Sequence, residues 1–257
     1  MRGRTDAERL AVDPGREEAE LREYLGARYH RSRLEGYQQT LDEEFAACGD
    51  EARFYRTSEA YLYNLTAFAM TGTKAPYLEE LTRLVPHGAR VLDYGCGIGS
   101  DGLLLLELGY GVEFADFDNP STGYLRWRLK RRGLAAPVHD LDGEVPGGFD
   151  AVYAFDVIEH VPEPFALLGE MERRARLVVI NLLEPEPGDQ ALHHPLPIAD
   201  ILRHARARGL RSYCIHHDRS HLVAYAPESA PAPARVVNAG RLMLGKARRR
   251  LRRPAAH

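Results

Sequence analysis

The spacing of apolar positions changes near residue 86. Before this point apolar residues recur every three to four positions, the period of a helix face, most clearly over 17–33, 54–70 and 77–84. After it, short apolar runs alternate with amphipathic segments that end in glycine. This change in apolar spacing predicts a helical N-terminal region followed by an α/β domain.

The second region predicts alternating strands and helices. The predicted strands are 90–94, 112–117, 137–141, 149–155 and 177–182, and the predicted helices are 101–108, 122–132, 164–174 and 198–208. Such alternation is typical of a parallel sheet with helices on both faces. Two further runs, 211–216 and 221–226, are joined by a short turn at 218–220, which predicts an antiparallel hairpin at the sheet edge.

These patterns divide the chain into four parts. We expect a disordered N-terminus over 1–15, a helical cap over 16–85, an α/β domain over 86–226, and a proline-rich linker with a basic tail over 227–257. No apolar run approaches the roughly 20 residues of a membrane span, and the N-terminus lacks the apolar stretch of a secretory signal. Three widely spaced cysteines indicate no disulfide framework, so we expect a cytoplasmic protein.

Charge is unevenly distributed along the chain. Residues 235–257 carry eight basic side chains and no acid, so the remaining residues carry a formal charge of −11 within a total of −3. A body this acidic matches a nucleic acid backbone poorly, and we expect no nucleic acid partner. The tail could bind an acidic partner, or it could be a solvated terminus.

One loop carries the strongest chemical signal. A predicted strand ends in Asp93-Tyr94 and runs through Gly95-Cys96-Gly97-Ile98-Gly99 into a helix. Glycines let the backbone turn sharply and approach a ligand closely, and the helix that follows presents N–H groups. Residues 97–102 also satisfy the dinucleotide pattern GxGxxG, but Asp101 would repel a pyrophosphate at the helix N-terminus.

The loop and the acids after it resemble those of class I S-adenosylmethionine (SAM)-dependent methyltransferases. The resemblance covers roughly residues 75–226 and implies their fold, a seven-stranded sheet with an antiparallel C-terminal hairpin, here behind the helical cap. It also implies SAM as the cofactor. The cofactor residues it implies are Asp93, Gly95, Cys96, Gly97 and Gly99 in the loop, Asp116 and Phe117 at the ribose, Asp140 and Leu141 at the adenine, and Phe155 in the fourth strand.

Three residues of the cap are candidates for holding the methionine carboxylate. In this family an N-terminal tyrosine or arginine often has that role, and here Tyr55, Arg56 or Tyr63 could fill it. Asp118 competes with Asp116 for the ribose hydroxyls, since both acids follow the second strand closely.

The catalytic candidates lie after the fourth and fifth strands. A hydroxyl or amine acceptor must lose a proton, and histidine titrates in the useful range, which favours His160 as the base and His194 for substrate contact. Asp156, Glu159 and His160 are similar to a metal-binding element of ubiquinone-biosynthesis O-methyltransferases. That spacing is also common without a metal, so we expect none.

The predicted function is methyl transfer from SAM to an oxygen or nitrogen of a small molecule, in secondary-metabolite biosynthesis. One alternative is a carrier-bound or peptide substrate that docks through the basic tail. Two alternatives from other classes are an NAD-binding oxidoreductase and a non-catalytic SAM-fold module. The acceptor and the oligomeric state do not follow from the sequence.

Overall fold

The structure, a computed structural model, describes residues 10–186 and 192–229, together with Met243. The linker and basic tail predicted over 227–257 therefore lie largely outside the described residues, as do residues 1–9. The predicted disorder over 1–15 is wrong at its end, because a helix begins at Pro14. Asp13 caps this helix by accepting hydrogen bonds from the N–H groups of Gly15 and Arg16, at 3.0 and 3.3 Å.

The described residues fall into two compact units. The first lies within Met1–Val145 and Gln190–Leu192, and the second within Pro146–Asp189 and His193–His257. The first unit thus combines the helical cap with the first half of the predicted α/β domain. The boundary expected at residue 85 does not separate the two, because cap helices and the loop after the first strand share one apolar core.

The first unit contains eight α-helices, one 3-10 turn (Gly26–Arg28) and three strands among its described residues. The helices are α1 (Pro14–Leu25), α2 (Arg31–Glu35), α3 (Tyr37–Cys48), α4 (Glu51–Thr57), α5 (Ala60–Met70), α6 (Ala75–Leu84), α7 (Ser100–Glu107) and α8 (Pro120–Arg132). The strands are β1 (Arg90–Tyr94), β2 (Gly111–Asp116) and β3 (Val138–Asp140). Both strand pairs are parallel, with Tyr94 opposite Ala115 and Asp116 opposite Asp140. Parallel pairing brings the carboxyl ends of all three strands to one edge.

The second unit contains the remaining strands. They are β4 (Ala151–Ala154), β5 (Val178–Leu183), β6 (Arg208–His216) and β7 (Ser220–Ser229), with helices α9 (Pro164–Arg174) and α10 (Ile198–Ala207) between them. Strands β4 and β5 are parallel, whereas β7 is antiparallel to both β5 and β6. The predicted hairpin is therefore confirmed.

The hairpin differs from its prediction at both ends. Strand β6 begins at Arg208, so Gly209 lies within the strand, where a Cβ would come within 3.1 Å of the Ala226 Cβ. The turn is centred on His217 and Asp218, which both adopt positive φ, 48° and 59°. Followed by Arg219, these two residues form a three-residue loop between the paired His216 and Ser220, and their positive φ values match the twist of the flanking strands.

The seven strands form a sheet in the order β3-β2-β1-β4-β5-β7-β6. The fold class predicted from the sequence is confirmed: the sheet is mixed, with an antiparallel C-terminal hairpin, and helices precede it in the chain. Among the described residues, no helix is both long and apolar enough to cross a membrane. All three cysteines are free thiols.

Candidate functional site

The glycine loop connects β1 to α7 in the first unit. Its backbone continues the pairing with β2, since the N–H groups of Gly95 and Cys96 both donate to the carbonyl of Ala115, at 2.8 and 3.2 Å. Gly97 has a φ of +53°, and a Cβ there would lie 2.7 Å from Cδ1 of Leu65 on α5. This position therefore requires glycine for its backbone conformation and for the close approach of the cap.

Packing explains why residue 102, the last glycine of the GxGxxG pattern, is a glycine. A Cβ on this residue would collide with the ring of Phe114 on β2 and come within 2.9 Å of Asp93 Oδ2. Gly102 therefore lets α7 lie close against the strands. Asp101, in the first turn of α7, lies 3.4 Å from the ammonium of Lys74, so its charge is partly balanced within the unit.

Asp116 ties the end of β2 to the glycine loop. Its Oδ2 accepts a hydrogen bond from the Gly97 N–H at 2.7 Å, and its Oδ1 accepts one from the Phe117 N–H at 2.7 Å. Each carboxylate oxygen has a second lone pair, so both could still accept a hydroxyl. Burial raises the pKa of Asp116 to about 6, against the opposing effect of the two N–H donors. This geometry suits a residue that accepts both hydroxyls of a ribose.

The rival acid Asp118 is placed differently. Its exposed carboxylate is paired with Arg126 on α8, 2.7 Å away. Asp140 lies directly opposite Asp116 in the register of β2 and β3, and its Oδ1 accepts a hydrogen bond from the Asp142 N–H at 3.1 Å. Leu141 continues this edge, because its N–H donates to the Asp116 carbonyl at 3.0 Å. Asp93, Asp116 and Asp140 thus lie near the carboxyl ends of the three neighbouring strands, the edge at which open α/β sheets bind ligands.

Helix α4 of the cap reaches the same edge. The Arg56 guanidinium lies over the ring of Phe117, 4.6 Å from its centroid, and forms a two-pronged ion pair with Asp142. Arg56 lowers the pKa of the Asp142 carboxyl by donating hydrogen bonds to it. Asn119 reinforces the contact, since its Nδ2 donates to the Tyr55 carbonyl at 3.2 Å.

These contacts limit which cap residues are available to hold the methionine carboxylate. Arg56 already binds the carboxylate of Asp142, so its predicted contact with the cofactor would require it to exchange partners. Tyr63 does not fit the role: its side chain is 1% exposed, and its hydroxyl donates to the Arg28 carbonyl and accepts from the His30 N–H, both at 3.0 Å. Tyr63 is a core residue of the cap. Tyr55, whose ring stacks on Tyr61, remains a prediction.

Cys96 and Phe155 complete the predicted cofactor residues. Burial, together with the nearby Asp116 and Asp93 carboxyls, raises the pKa of the Cys96 thiol, which keeps it protonated at neutral pH. Phe155, in the second unit, is 4% exposed, and its ring centroid lies 5.0 Å from that of Tyr153. The contact of both residues with a cofactor stays a prediction.

In the second unit, the segment after β4 begins with a strained residue. Asp156 has a φ of +55°. Asn181 of β5 holds it there: the Asp156 N–H donates to Asn181 Oδ1, and Asn181 Nδ2 donates to Asp156 Oδ1, both at 2.7 Å. Asn181 is fully buried. This reciprocal pair fixes the backbone that leads to Glu159 and His160.

Glu159 and His160 lie on a short 3-10 turn, Ile158–His160. They form a cluster with His193, a residue that the sequence did not single out as a ligand. The rings of His160 and His193 are 4.8 Å apart and meet edge to face. One ligand atom from each of Glu159, His160 and His193 lies within 4.8 Å of the other two. The loop carrying His193 is held by the His194 N–H, which donates to the Glu159 carbonyl at 2.7 Å.

The composition of this cluster differs from the predicted metal element. Its third member is His193, whereas Asp156 bonds Asn181. Two imidazoles and one carboxylate are donors that suit zinc, and they equally suit a histidine oriented for proton transfer. His194, predicted to contact substrate, is partly exposed beside the cluster, and its role stays a prediction.

The hairpin histidines have structural partners. His221, 4% exposed, lies between the Tyr213 hydroxyl and the Glu184 carboxylate, with a distance of 2.7 Å on each side. His216 Nε2 lies 3.1 Å from the Cys214 thiol. These contacts give structural partners to His216 and His221.

Comparisons with known proteins agree with this geometry. A family model described as a methyltransferase domain matches residues 70–218, more than half of the chain. A ubiquinone biosynthesis O-methyltransferase from Xanthomonas axonopodis pv. citri (strain 306) is 37% identical over 91 residues, 34% of this chain and 38% of that protein. One from Bordetella parapertussis is 28% identical over 154 residues, 57% of this chain and 63% of that protein. The chain thus matches less than two thirds of either relative's length.

Two solved structures share the fold. Magnesium protoporphyrin IX methyltransferase from Synechocystis PCC 6803, with bound S-adenosylhomocysteine (SAH), superimposes with a TM-score of 0.52 at 16% identity, covering 73% of this chain and 98% of that chain. The pyocyanin biosynthetic protein PhzM gives a TM-score of 0.52 at 17% identity, covering 70% of this chain and 62% of that chain.

The sheet order, the glycine loop and the carboxylate after β2 define a class I methyltransferase fold. The chain belongs to the class I SAM-dependent methyltransferase superfamily, whose methyl donor is SAM. The predicted family, enzyme class and cofactor are confirmed at this level. The alternative of an NAD-binding oxidoreductase is not supported.

Proposed function

We propose that the chain transfers a methyl group from SAM to a hydroxyl oxygen of a small aromatic molecule. The observation that carries the cofactor assignment is the carboxylate of Asp116, which is fixed by the N–H groups of Gly97 and Phe117 with lone pairs left for two ribose hydroxyls. The names of the relatives, both O-methyltransferases, favour oxygen over the nitrogen that the sequence left open.

The proposed chemistry needs little from the protein beyond orientation and one base. The sulfonium methyl of SAM is already activated, and its transfer leaves a neutral thioether. A neutral phenol must give up its proton, and His160 is the proposed base. Glu159 and His193 beside it would hold the imidazole in position.

The proposed substrate class is a free phenol or catechol. A panel of such compounds is incubated with the protein and SAM carrying a ¹³C methyl group, and products are followed by mass spectrometry and by SAH release. We expect label transfer to at least one hydroxyl, and none with Asp116→Ala. SAM binding without label transfer to any compound in the panel would contradict the substrate class.

The proposed setting is secondary metabolism in the cytoplasm. The aromatic stretch of the cap over residues 54–68 supports an apolar acceptor, since α4 and α5 carry five aromatic side chains. The alternative that a carrier-bound or peptide substrate docks through the basic tail concerns residues outside the described part of the chain. Removal of residues 235–257 separates the two: activity on a free phenol should survive the truncation.

A further inference from the structure

A buried network of charges joins the first helix of the cap to the back of the glycine loop. It consists of Glu17 and Glu20 on α1 and of Arg128 and Arg132 on α8. Glu17 is 2% exposed, and Glu20 and Arg128 are fully buried. Only 4% of the Arg132 side chain is exposed. These four side chains carry two negative and two positive charges, and Arg16, Arg131 and Glu107 pair with them at the edge of the network.

Arg128 is the member that reaches the loop. Its Nη1 donates to the carbonyl of Ile98 at 3.0 Å and to the hydroxyl of Ser100 at 2.9 Å. Its Nε donates to Glu20 Oε2 at 2.9 Å, and its Nη2 donates to Glu17. The planar guanidinium therefore holds two carboxylates on one side and the glycine loop on the other.

Glu17 links the network directly to the first residue of α7. Its Oε2 accepts a hydrogen bond from the Ser100 hydroxyl at 2.7 Å, at the first residue of α7. Arg132 supports both acids, donating to Glu20 at 2.7 and 2.9 Å and to Glu17 at 3.3 Å. The junction between the loop and α7 thus contacts a residue 83 positions earlier in the chain.

The apolar side of the loop is fixed by the same helices. Ile98 is 3% exposed and belongs to a core cluster with Leu21 and Leu25 of α1 and with Tyr124 of α8. Its side chain therefore packs against both helices, and its carbonyl accepts a hydrogen bond from Arg128 of α8. The opposite side of the loop carries the Gly97 N–H that donates to Asp116.

Stability alone gives a weak reason for such a network. A buried ion pair can usually be replaced by packed apolar residues at no loss of stability, whereas its directed hydrogen bonds fix geometry. We propose that Arg128, oriented by Glu17 and Glu20, is a positioning residue for SAM that holds the glycine loop in its binding conformation. The inference rests on the cofactor site proposed above and adds that α1 is part of it.

The test compares two substitutions on α1. Glu17→Gln removes the charge that faces Arg128 and Ser100 while keeping the shape of the side chain. Glu23→Gln is the matched control, because Glu23 is exposed and pairs with Arg131, 2.8 Å away. SAM and SAH affinities are measured by titration calorimetry on the full chain. We expect a rise in Kd of about tenfold or more for Glu17→Gln and less than about twofold for Glu23→Gln.

A stability-matched variant separates positioning from folding. Leu168→Ala removes a fully buried side chain of α9 and should lower the melting temperature without changing the Kd of SAM. A Glu17→Gln protein that melts early but binds SAM like wild type would overturn the proposal. If Glu17→Gln does not fold, Ser100→Ala replaces it. That change removes the hydrogen bonds of Glu17 and Arg128 to the first residue of α7 and leaves all four charges paired.

The expected result for Ser100→Ala is a rise in Kd of about three- to tenfold, and an unchanged Kd would overturn the proposal as well. Failure of the cofactor site itself looks different: wild type would then bind neither SAM nor SAH. Loss of affinity only in the variants of the network assigns the effect to positioning.

Discussion

Asp116 accepts a hydrogen bond from the N–H of Gly97 at 2.7 Å, which joins the end of β2 to the middle of the glycine loop. The same carboxyl has its pKa raised to about 6 by burial. Its protonation state therefore changes just below neutral pH, at the position where we place the ribose of SAM.

The first prediction concerns pH. Ionised Asp116 can accept both ribose hydroxyls, so SAM affinity should fall as the pH drops below about 6, by up to about tenfold per pH unit. Asp116→Asn should bind more weakly at pH 8 and show little of this pH dependence. Calorimetric titrations between about pH 5 and pH 8, a range that brackets the pKa of Asp116 at about 6, would measure this change in SAM affinity. A wild-type profile that is flat across pH 6 would contradict the assignment.

The raised pKa also has a consequence for stability. The folded carboxyl keeps a proton that the unfolded chain has lost between the ordinary value of 3.8 and about 6. The contribution of Asp116 to the free energy of unfolding should therefore fall as pH rises through this window and stay constant above it. Comparing wild type with Asp116→Asn by urea denaturation at several pH values isolates this contribution.

The second prediction concerns Gly97. Gly97→Ala places a methyl group 2.7 Å from Leu65 Cδ1 at a φ of +53° and should weaken SAM binding and stability together. Gly133→Ala is the matched control, because its φ is +64° and nothing lies within 4 Å of the added Cβ. The control should cost only about 1–2 kcal/mol of stability from its backbone conformation, with SAM affinity intact.

A second substitution tests the role of Leu65. In the double variant Gly97→Ala with Leu65→Ala, the collision is removed, and part of the lost stability should return. Gly97→Leu should abolish SAM binding. Normal binding by Gly97→Leu, measured by calorimetry, would show that the cofactor site is misplaced.

The third prediction concerns the contact between Arg56 and Asp142. Breaking it with Arg56→Ala should speed SAM dissociation a few-fold, because α4 then loses its contact with the edge at Phe117. Arg28→Ala removes another exposed ion pair of the cap, with Glu59, and should leave the rate unchanged. Stopped-flow displacement with SAH would measure both. The wild-type rate should rise with salt, since this pair is solvent-exposed.

The fourth prediction concerns His160. If it is the base, His160→Ala should lower kcat by about 10²- to 10³-fold and leave the Kd of SAM within about twofold. His204→Ala, which removes a histidine paired with Glu172, should change neither. Dialysis against a chelator should leave wild-type activity intact. Activity lost to the chelator and restored by zinc would instead make Glu159, His160 and His193 a metal site.

The sequence predicted the fold and the cofactor edge well because both depend on local patterns. The strands β1 to β5 follow short apolar runs, and the loop from Gly95 to Gly99 carries its conformation in its own glycines. Asp116 and Asp140 were placed correctly at strand ends, and parallel pairing made them neighbours.

What the sequence could not predict were contacts between residues distant in the chain. Tyr63 looked like a ligand for the cofactor, but its hydroxyl is occupied by backbone groups of residues 28 and 30. His193 lies beside His160 because the His194 N–H bonds the Glu159 carbonyl and so holds the loop there. In the sequence, Arg128 is one of several basic residues within the helix predicted over 122–132. Its burial becomes evident only when α1 supplies Glu17 and Glu20.

The network between α1 and α8 sets a limit on chimera design. The family match begins at residue 70, and a graft cut there would take Arg128 and Arg132 without Glu17 and Glu20. Arg128 would then lose both of its carboxylate partners, and Arg132 would lose two and keep Glu107, 3.2 Å away, at a cost above that of an ordinary surface substitution. A transplantable methyltransferase module from this chain must therefore carry its first helix, although that helix lies outside the region by which the family is recognised.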